Sequence, residues 1–214
     1  MSWADVAATL LSGFQKTLAL VAISAVLALL FGIGLAIMQV APVTILRRIA
    51  SIIIGFVRNI PSAVFLFFVI FVIPQFGFHF TFFIGAAVAI TIYYGAYFGE
   101  VIRAGIRSVG RGQIEAARSI GLRFLSVIAL IVLPQAMRSA VPPLLNTLIA
   151  VVRTTSVAGA FGVSELYDRM RFAANARPDI VIPILIGTAA LYLVITLPVI
   201  WLARRLERRV VFVR

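Results

Sequence analysis

The chemistry available to this chain lies in four groups of residues. The first is Arg153-Thr154-Thr155-Ser156, set inside an apolar run. A guanidinium can hold a carboxylate through two parallel hydrogen bonds, and neighbouring hydroxyls could add donors. Placing it near the centre of a bilayer costs at least about 2.5–3.5 kcal/mol, so it should face a wet pathway or a partner charge; snorkelling or an internal ion pair are the alternatives. The second group is Arg58-Asn59-Ile60-Pro61. Pro61 should kink a helix and free a backbone carbonyl, and Arg58 reads equally as a pathway or gate residue and as half of a structural ion pair. The third is Glu100 and Arg103, three apart and able to pair on one helix face, structurally or as a gate. The fourth is Gly110-Arg111-Gly112-Gln113-Ile114-Glu115-Ala116-Ala117-Arg118-Ser119-Ile120-Gly121. Its first glycines break the preceding helix, about two turns of short helix follow over Gln113–Ile120, and Gly121 ends that helix as a glycine just past the last turn does. Such a knob suits docking into a groove on another protein. Ala116 and Ala117 would let it approach closely, and Glu115 and Arg118 can pair with each other or with partner charges.

This is chemistry of recognition and not of bond making. Cysteine is absent and His79 is the single histidine, so no two-His or thiolate metal site can be assembled. The single lysine, Lys16, follows Gln15, so the GK[ST] ending of a P-loop is missing and any ATP must be hydrolysed by another chain.

The elements that carry these residues are set by composition. Of 214 residues, 63% are hydrophobic and 12% charged, with a mean hydropathy of +1.13. A soluble chain carries roughly 25% charged residues, so a water-soluble globule and a disordered chain are both excluded. The net charge of +12 is nearly all arginine and sits beside apolar runs. It reads as membrane topology and not as nucleic-acid binding.

Uncharged runs extend over Thr17–Leu46, Asn59–Gly99 and Ile180–Ala203. A spanning helix needs about 20 residues, so the middle run is two segments divided at Pro74-Gln75-Phe76-Gly77. A further span lies between Arg138 and Glu165, interrupted by Arg153. The expected architecture is an all-α integral membrane protein. It has one domain, 1–214, with five spans at about 17–40, 50–73, 81–102, 141–161 and 180–202 and a cytoplasmic loop at about 103–140. The run Phe124–Met137 is too short to cross and reads as interfacial or re-entrant. No signal-peptide pattern precedes the first run, and the spacing of Trp3, Val6, Leu10 and Phe14 fits a short interfacial helix, with a disordered segment as the alternative. Gly95 and Gly99 form a GxxxG suited to close helix packing.

Loop charge sets the orientation. Arg47 and Arg48 lie in the first loop. Arg103, Arg107, Arg111, Arg118, Arg123 and Arg138 lie in the third. Arg204, Arg205, Arg208, Arg209 and Arg214 lie in the tail. The second loop has no charge, and in the fourth Arg169, Arg171 and Arg177 face Glu165, Asp168 and Asp179. The arginine-rich side should be cytoplasmic, with the N-terminus outside and the C-terminus inside.

The spacing Glu115-Ala116-Ala117, Gly121, Leu133-Pro134 resembles the cytoplasmic coupling motif of permease subunits of bacterial ABC importers. Val57-Arg58-Asn59-Ile60-Pro61, the stretch Tyr94–Ile106, Pro142-Pro143-Leu144-Leu145-Asn146 and Thr196-Leu197-Pro198 extend the likeness over nearly the whole chain, within the polar amino-acid branch and toward the glutamate-uptake permeases of actinobacteria. The resemblance implies a non-catalytic permease of the bacterial plasma membrane working by alternating access. Its partners would be two ABC ATPase subunits that bind ATP and Mg2+, a second permease subunit in a heterodimer, an extracytoplasmic amino-acid-binding protein, and membrane lipid. It assigns Gly112, Gln113, Glu115, Ala116, Ala117, Arg118 and Gly121 to the ATPase contact. Read from the residues themselves, Arg58, Asn59, Pro61, Arg153, Thr154, Thr155 and Ser156 are candidates for the substrate pathway, and Glu100 and Arg103 are candidates for a gate, with a structural pair as the favoured alternative. Many amino-acid permeases read Lys-Asp-Thr-Ser where this chain reads Arg153-Thr154-Thr155-Ser156. Loss of the acidic position with the cation kept favours an anionic or zwitterionic substrate, glutamate first and glutamine, aspartate or a basic amino acid behind it. A carrier driven by an ion gradient is the rival class, and only Glu100 is available to couple it. An intramembrane enzyme ranks last, for want of a catalytic constellation.

Overall fold

The computed structural model describes residues 1–211, with side chains through Arg208; the Arg209 side chain and Arg214 lie outside the described residues. Among the described residues the chain is helical throughout, with no strand. Helix α1 runs Trp3–Val40, α2 Thr44–Arg58, α3 Ser62–Phe67, α4 Phe82–Arg107, α5 Arg111–Ser119, α6 Phe124–Val127, α7 Leu133–Ala160, α8 Leu166–Ala176 and α9 Val181–Val211. Four stretches are long and apolar enough to cross a membrane, and the bent α2–α3 pair makes a fifth when taken as one span.

Helix α4 is the centre of the bundle. Its small residues let α1 approach backbone to backbone. A Cβ added at Gly32 would lie 2.7 Å from the Phe98 Cβ and 2.9 Å from the Gly95 carbonyl oxygen and the Gly99 nitrogen. The GxxxG of α4 is therefore filled within the chain, by α1. Leu20, Leu35, Ile54, Leu66, Ile70 and Ile90 close the core around it. Outside, Val26, Leu30 and Ile37 of α1 and Ile182, Ile186 and Val194 of α9 are exposed. Apolar surface on that scale belongs against lipid tails.

Three expectations are corrected. The N-terminal residues do not form a separate interfacial helix. They are the first turns of α1, started by a capping box in which Ser2 and Asp5 bond reciprocally. Their apolar stripe finds a partner in the protein itself, since Val6 and Leu10 pack on Leu166, Ala173 and Ile184. The span expected at 50–73 is not one helix. It breaks between Arg58 and Ser62, and the two pieces are bent by 102°. Pro61 has no N–H and disfavours helical backbone at the residue before it, while Asn59 caps the end of α2 by donating to the Gly55 carbonyl at 2.7 Å. The run Phe124–Met137 is not a separate piece: it is the start of a helical stretch continuing to Ala160. Residues 128–132 widen into a π turn just before Pro134, where the missing N–H does least damage to the hydrogen-bond ladder.

Candidate functional site

The third loop builds a short amphipathic helix held out from the bundle. Gly110 is the N-cap of α5, and Gly112 lies in its first turn. The C-terminus is a complete Schellman motif. Gly121 has φ +86°, its N–H donates to the Arg118 carbonyl at 3.1 Å, and the Leu122 N–H donates to the Ala117 carbonyl at 3.2 Å. The two alanines separate. Ala117 is buried against Val109, Val127 and Val132, while Ala116 faces outward. Glu115 and Arg118 do not pair: among the described residues neither has an ion-pair or hydrogen-bond partner, and both are exposed. Gln113 accepts a 2.6 Å hydrogen bond from Gln135, which ties α5 to the start of α7. Beside the knob, Ile120 and Leu125 are 78% and 77% exposed, and Phe124 is exposed with them. The sequence reading passed over these three. Their signal was apolar side chains in a loop otherwise rich in arginine.

The positive φ at Gly121 carries a prediction. A β-branched side chain there is strained in the left-handed region by roughly 1–2 kcal/mol, and nothing in the surroundings obstructs it. Gly121→Val should therefore loosen the end of α5 without collapsing the bundle. The expected result is faster proteolysis within 111–123 at an unchanged overall melting temperature.

Arg153 stands on the exposed face of α7, without an ion-pair partner among the described residues. The hydroxyls that follow it are not gathered beside it. Thr155 donates to the Val152 carbonyl at 2.7 Å and Ser156 to the Arg153 carbonyl at 2.7 Å, both back onto their own helix. Thr154 is buried and bonded to the Tyr94 hydroxyl at 2.6 Å. Instead, the face of α7 that carries Arg153 continues one and two turns back through half-buried Ala150 and exposed Asn146. There a cavity of about 390 Å³ is lined by Ser62, Tyr93, Tyr97, Asn146 and Thr147. The tyrosines complete the break after α2: Tyr93 donates to the Ile60 carbonyl at 3.0 Å and Tyr97 to the Arg58 carbonyl at 3.4 Å. The carbonyl that loses its donor to Pro61 is that of Val57, which accepts instead from the Ile60 N–H at 3.3 Å, while the tyrosines of α4 take two other carbonyls at the break. Three tyrosines at 93, 94 and 97 in an apolar run were the available signal, and the sequence reading did not use it.

One turn further along α4, Glu100 is paired with Arg103, and the Arg58 guanidinium lies 3.9 Å from the same carboxylate and 5.1 Å from the centre of the Tyr97 ring. This three-residue network joins α2 to α4. Arg47, Arg48 and Arg107 surround it in a cavity of about 520 Å³.

A further carboxylate was counted in the sequence only as a loop charge. Glu165, at the N-terminus of α8, is fully buried. It accepts from the Tyr192 hydroxyl at 2.7 Å, the Thr17 hydroxyl at 3.0 Å, and the N–H groups of Tyr167 at 2.7 Å and Asp168 at 3.1 Å. Thr17 also accepts from the Leu166 N–H at 3.0 Å. Burial pushes the Glu165 carboxyl above its usual range, against the pull of those four donors. Among the described residues no group of three or more His, Asp or Glu side chains could hold a metal.

Comparison with known proteins gives a consistent picture. Residues 8–212 match the model of the family described as binding-protein-dependent transport system inner membrane component. The probable glutamine ABC transporter permease protein GlnP of Bacillus subtilis (strain 168) is 33% identical, with 94% of each chain covered. The glutamate transport system permease protein GluC of Corynebacterium glutamicum is 35% identical over 92% of this chain and 91% of that protein. Among solved structures, an amino acid ABC transporter crystallised with histidines superposes with a TM-score of 0.87 at 29% identity, covering 96% of each chain.

Proposed function

The chain belongs to the binding-protein-dependent transport system inner membrane component family, and from that premise we propose that it carries glutamate. It is a permease component of an ABC amino-acid importer, a multi-pass protein of the bacterial plasma membrane whose ATPase and substrate-binding partners are separate subunits. The observation that carries the substrate reading is Arg153, a cation without an ion-pair partner among the described residues, on the α7 face that continues into the tyrosine-lined cavity. A planar guanidinium suits a carboxylate, and the position after it is a threonine already bonded to Tyr94, so no acidic group stands there for a cationic side chain. A relative named for glutamate and one named for glutamine are about equally similar; glutamine offers Arg153 only its α-carboxylate and is the second reading.

In the proposed topology the chain is one domain of five spans, the bent pair counting as the second, with the N-terminus outside and the arginine-rich loops and C-terminus inside. The α5 knob carries ATPase motion into the bundle through Gly112, Gln113, Glu115, Ala116, Arg118 and Gly121, with Ala117 anchoring it from beneath. ATP and Mg2+ are held by two partner ATPases. A second, different permease subunit completes the pathway, which alternates between the two faces of the membrane. Arg58, Asn59 and Pro61 shape the bend beside it, and Glu100 with Arg103 forms the gate.

The test is ATP hydrolysis in proteoliposomes of the full complex with its binding protein, across the common amino acids. Stimulation by glutamate alone is expected, with glutamine the runner-up. Stimulation by arginine or histidine alone would sink the reading of Arg153. Loss of a charge-assisted hydrogen bond is worth about 1.5–3 kcal/mol, so Arg153→Ala should lower the rate of glutamate uptake at saturating binding protein by roughly 10–100-fold.

A further inference from the structure

Helix α2 has three faces. Ala50, Ile54 and Val57 are buried against the bundle. Ile45, Ile49, Ile52 and Phe56 form an exposed stripe along the second. The third, through Arg48, Ser51, Gly55 and Arg58, forms one wall of the 520 Å³ cavity, and the end of α4 with Arg103 and Arg107 forms another. Five guanidiniums border this cavity, and one carboxylate, Glu100, answers them. Arg103 and Arg58 are held by Glu100, while Arg47 donates to the Ala41 and Pro42 carbonyls at 2.8 and 3.0 Å. Arg48 and Arg107 are exposed and have no acceptor among the described residues. Gln39, which also lines the cavity, is buried and its side-chain oxygen has no partner.

We infer that this cavity is a binding site for the phosphate of an anionic phospholipid. The inference rests on the topology proposed above, which puts the cavity at the cytoplasmic surface of the bilayer. Unanswered guanidiniums at a membrane surface call for an anion, and planar forked donors fit a phosphate oxygen pair. The volume distinguishes the source. It lies in the range of sites for whole small molecules and leaves room for a glycerol head group around the phosphate. The neighbouring apolar stripe distinguishes it again: a free phosphate has no use for Ile45, Ile49, Ile52 and Phe56, whereas acyl chains lie along such a face beside a basic one. Arg48 and Arg107 hold the phosphate from two helices, and bound lipid would brace α2 against α4 beside the Glu100 network.

The test uses the purified complex with its partner subunits in detergent. Phosphatidylglycerol, cardiolipin or phosphatidylcholine is added, and retained lipid is counted by native mass spectrometry. The two anionic lipids should be retained over phosphatidylcholine, with retention falling about fivefold for each arginine removed in Arg48→Ala and Arg107→Ala. Arg48→Lys with Arg107→Lys should keep most of it. Equal retention of the three lipids, or no change in the double Ala variant, overturns the site. So does displacement by millimolar inorganic phosphate, which would make it a free-anion site, or a photo-crosslink from position 48 to a partner subunit instead of lipid. Amino-acid-stimulated ATP hydrolysis on the same preparation separates the two readings. Stimulated hydrolysis without lipid preference overturns the lipid site and leaves the importer standing. Lipid preference without stimulated hydrolysis supports the site and counts against the importer.

Discussion

Glu115→Lys is expected to lower amino-acid-stimulated ATP hydrolysis and substrate uptake by at least about tenfold while the permease remains folded and inserted. Folding is spared because Glu115 is exposed and has no partner among the described residues, so reversing its charge breaks none of the contacts seen there. Surface substitutions of that kind change stability by roughly half a kcal/mol or less. Function is not spared. The proposed ATPase contact is a groove that receives α5, and a like-charge juxtaposition at an interface costs several kcal/mol. Ala117 gives the comparison that separates docking from folding. Its side chain is packed on Val109, Val127 and Val132, so Ala117→Glu should uncouple α5 by unseating it, with a measurable loss of stability. Ile120→Asp should act like Glu115→Lys, through the exposed apolar rim of the knob. The measurement is co-purification of the ATPase subunits together with stimulated hydrolysis. Retention of both in Glu115→Lys would remove the coupling role from α5.

What could be read from the sequence followed locality. Gly121 was legible because a left-handed backbone position after a short helix demands glycine, and the Schellman bonds around it involve neighbours in the chain. The helix break at Pro61 was legible for the same reason. Its 102° size was not, because it depends on Tyr93 and Tyr97, more than thirty residues away, taking the Ile60 and Arg58 carbonyls. Counting charges misplaced the start of α7. Arg138 was read as ending a segment, yet it is exposed on the helix surface and leaves the backbone ladder intact. Arg153 was expected to face a wet pathway or a partner charge, and it is exposed on α7 with no ion-pair partner among the described residues. The fate of the next three hydroxyls was missed, because threonine and serine in a helix bond back to the preceding turn. Tyr94 then removes Thr154 across the bundle. Glu165 was invisible as a structural group since Thr17 and Tyr192 come from opposite ends of the chain.

That carboxylate carries the largest stability effect. Glu165 joins α1, α8 and α9 at one point, and it lies so close to the end of α7 that a Cβ on Gly159 would overlap its side chain. Glu165→Leu would leave two backbone N–H groups and the Thr17 and Tyr192 hydroxyls without their acceptor. Each buried donor left unpaired costs about 1–3 kcal/mol. The hydroxyls can turn toward other oxygens and the amides cannot, so a net loss of about 4 kcal/mol is expected. At about 2–4 °C per kcal/mol for a chain of this size, the denaturation midpoint of the complex should fall by roughly 8 °C or more. Glu165→Gln should fall about half as far, since one oxygen becomes a donor aimed at hydroxyls that already donate. Thr17→Val should be destabilising by itself, because it removes both the donor to Glu165 and the acceptor of the Leu166 N–H. Added to Glu165→Leu it should cost less than the sum, as expected of groups in one network. The close approach of Gly159 supplies the sharpest control. Gly159→Ala should destabilise the wild type, where its methyl meets the carboxylate, and should be tolerated in Glu165→Ala, where that space is empty. A midpoint for Glu165→Leu equal to the wild type, or equal penalties for Gly159→Ala in both backgrounds, would show that the carboxylate does not hold these helices together.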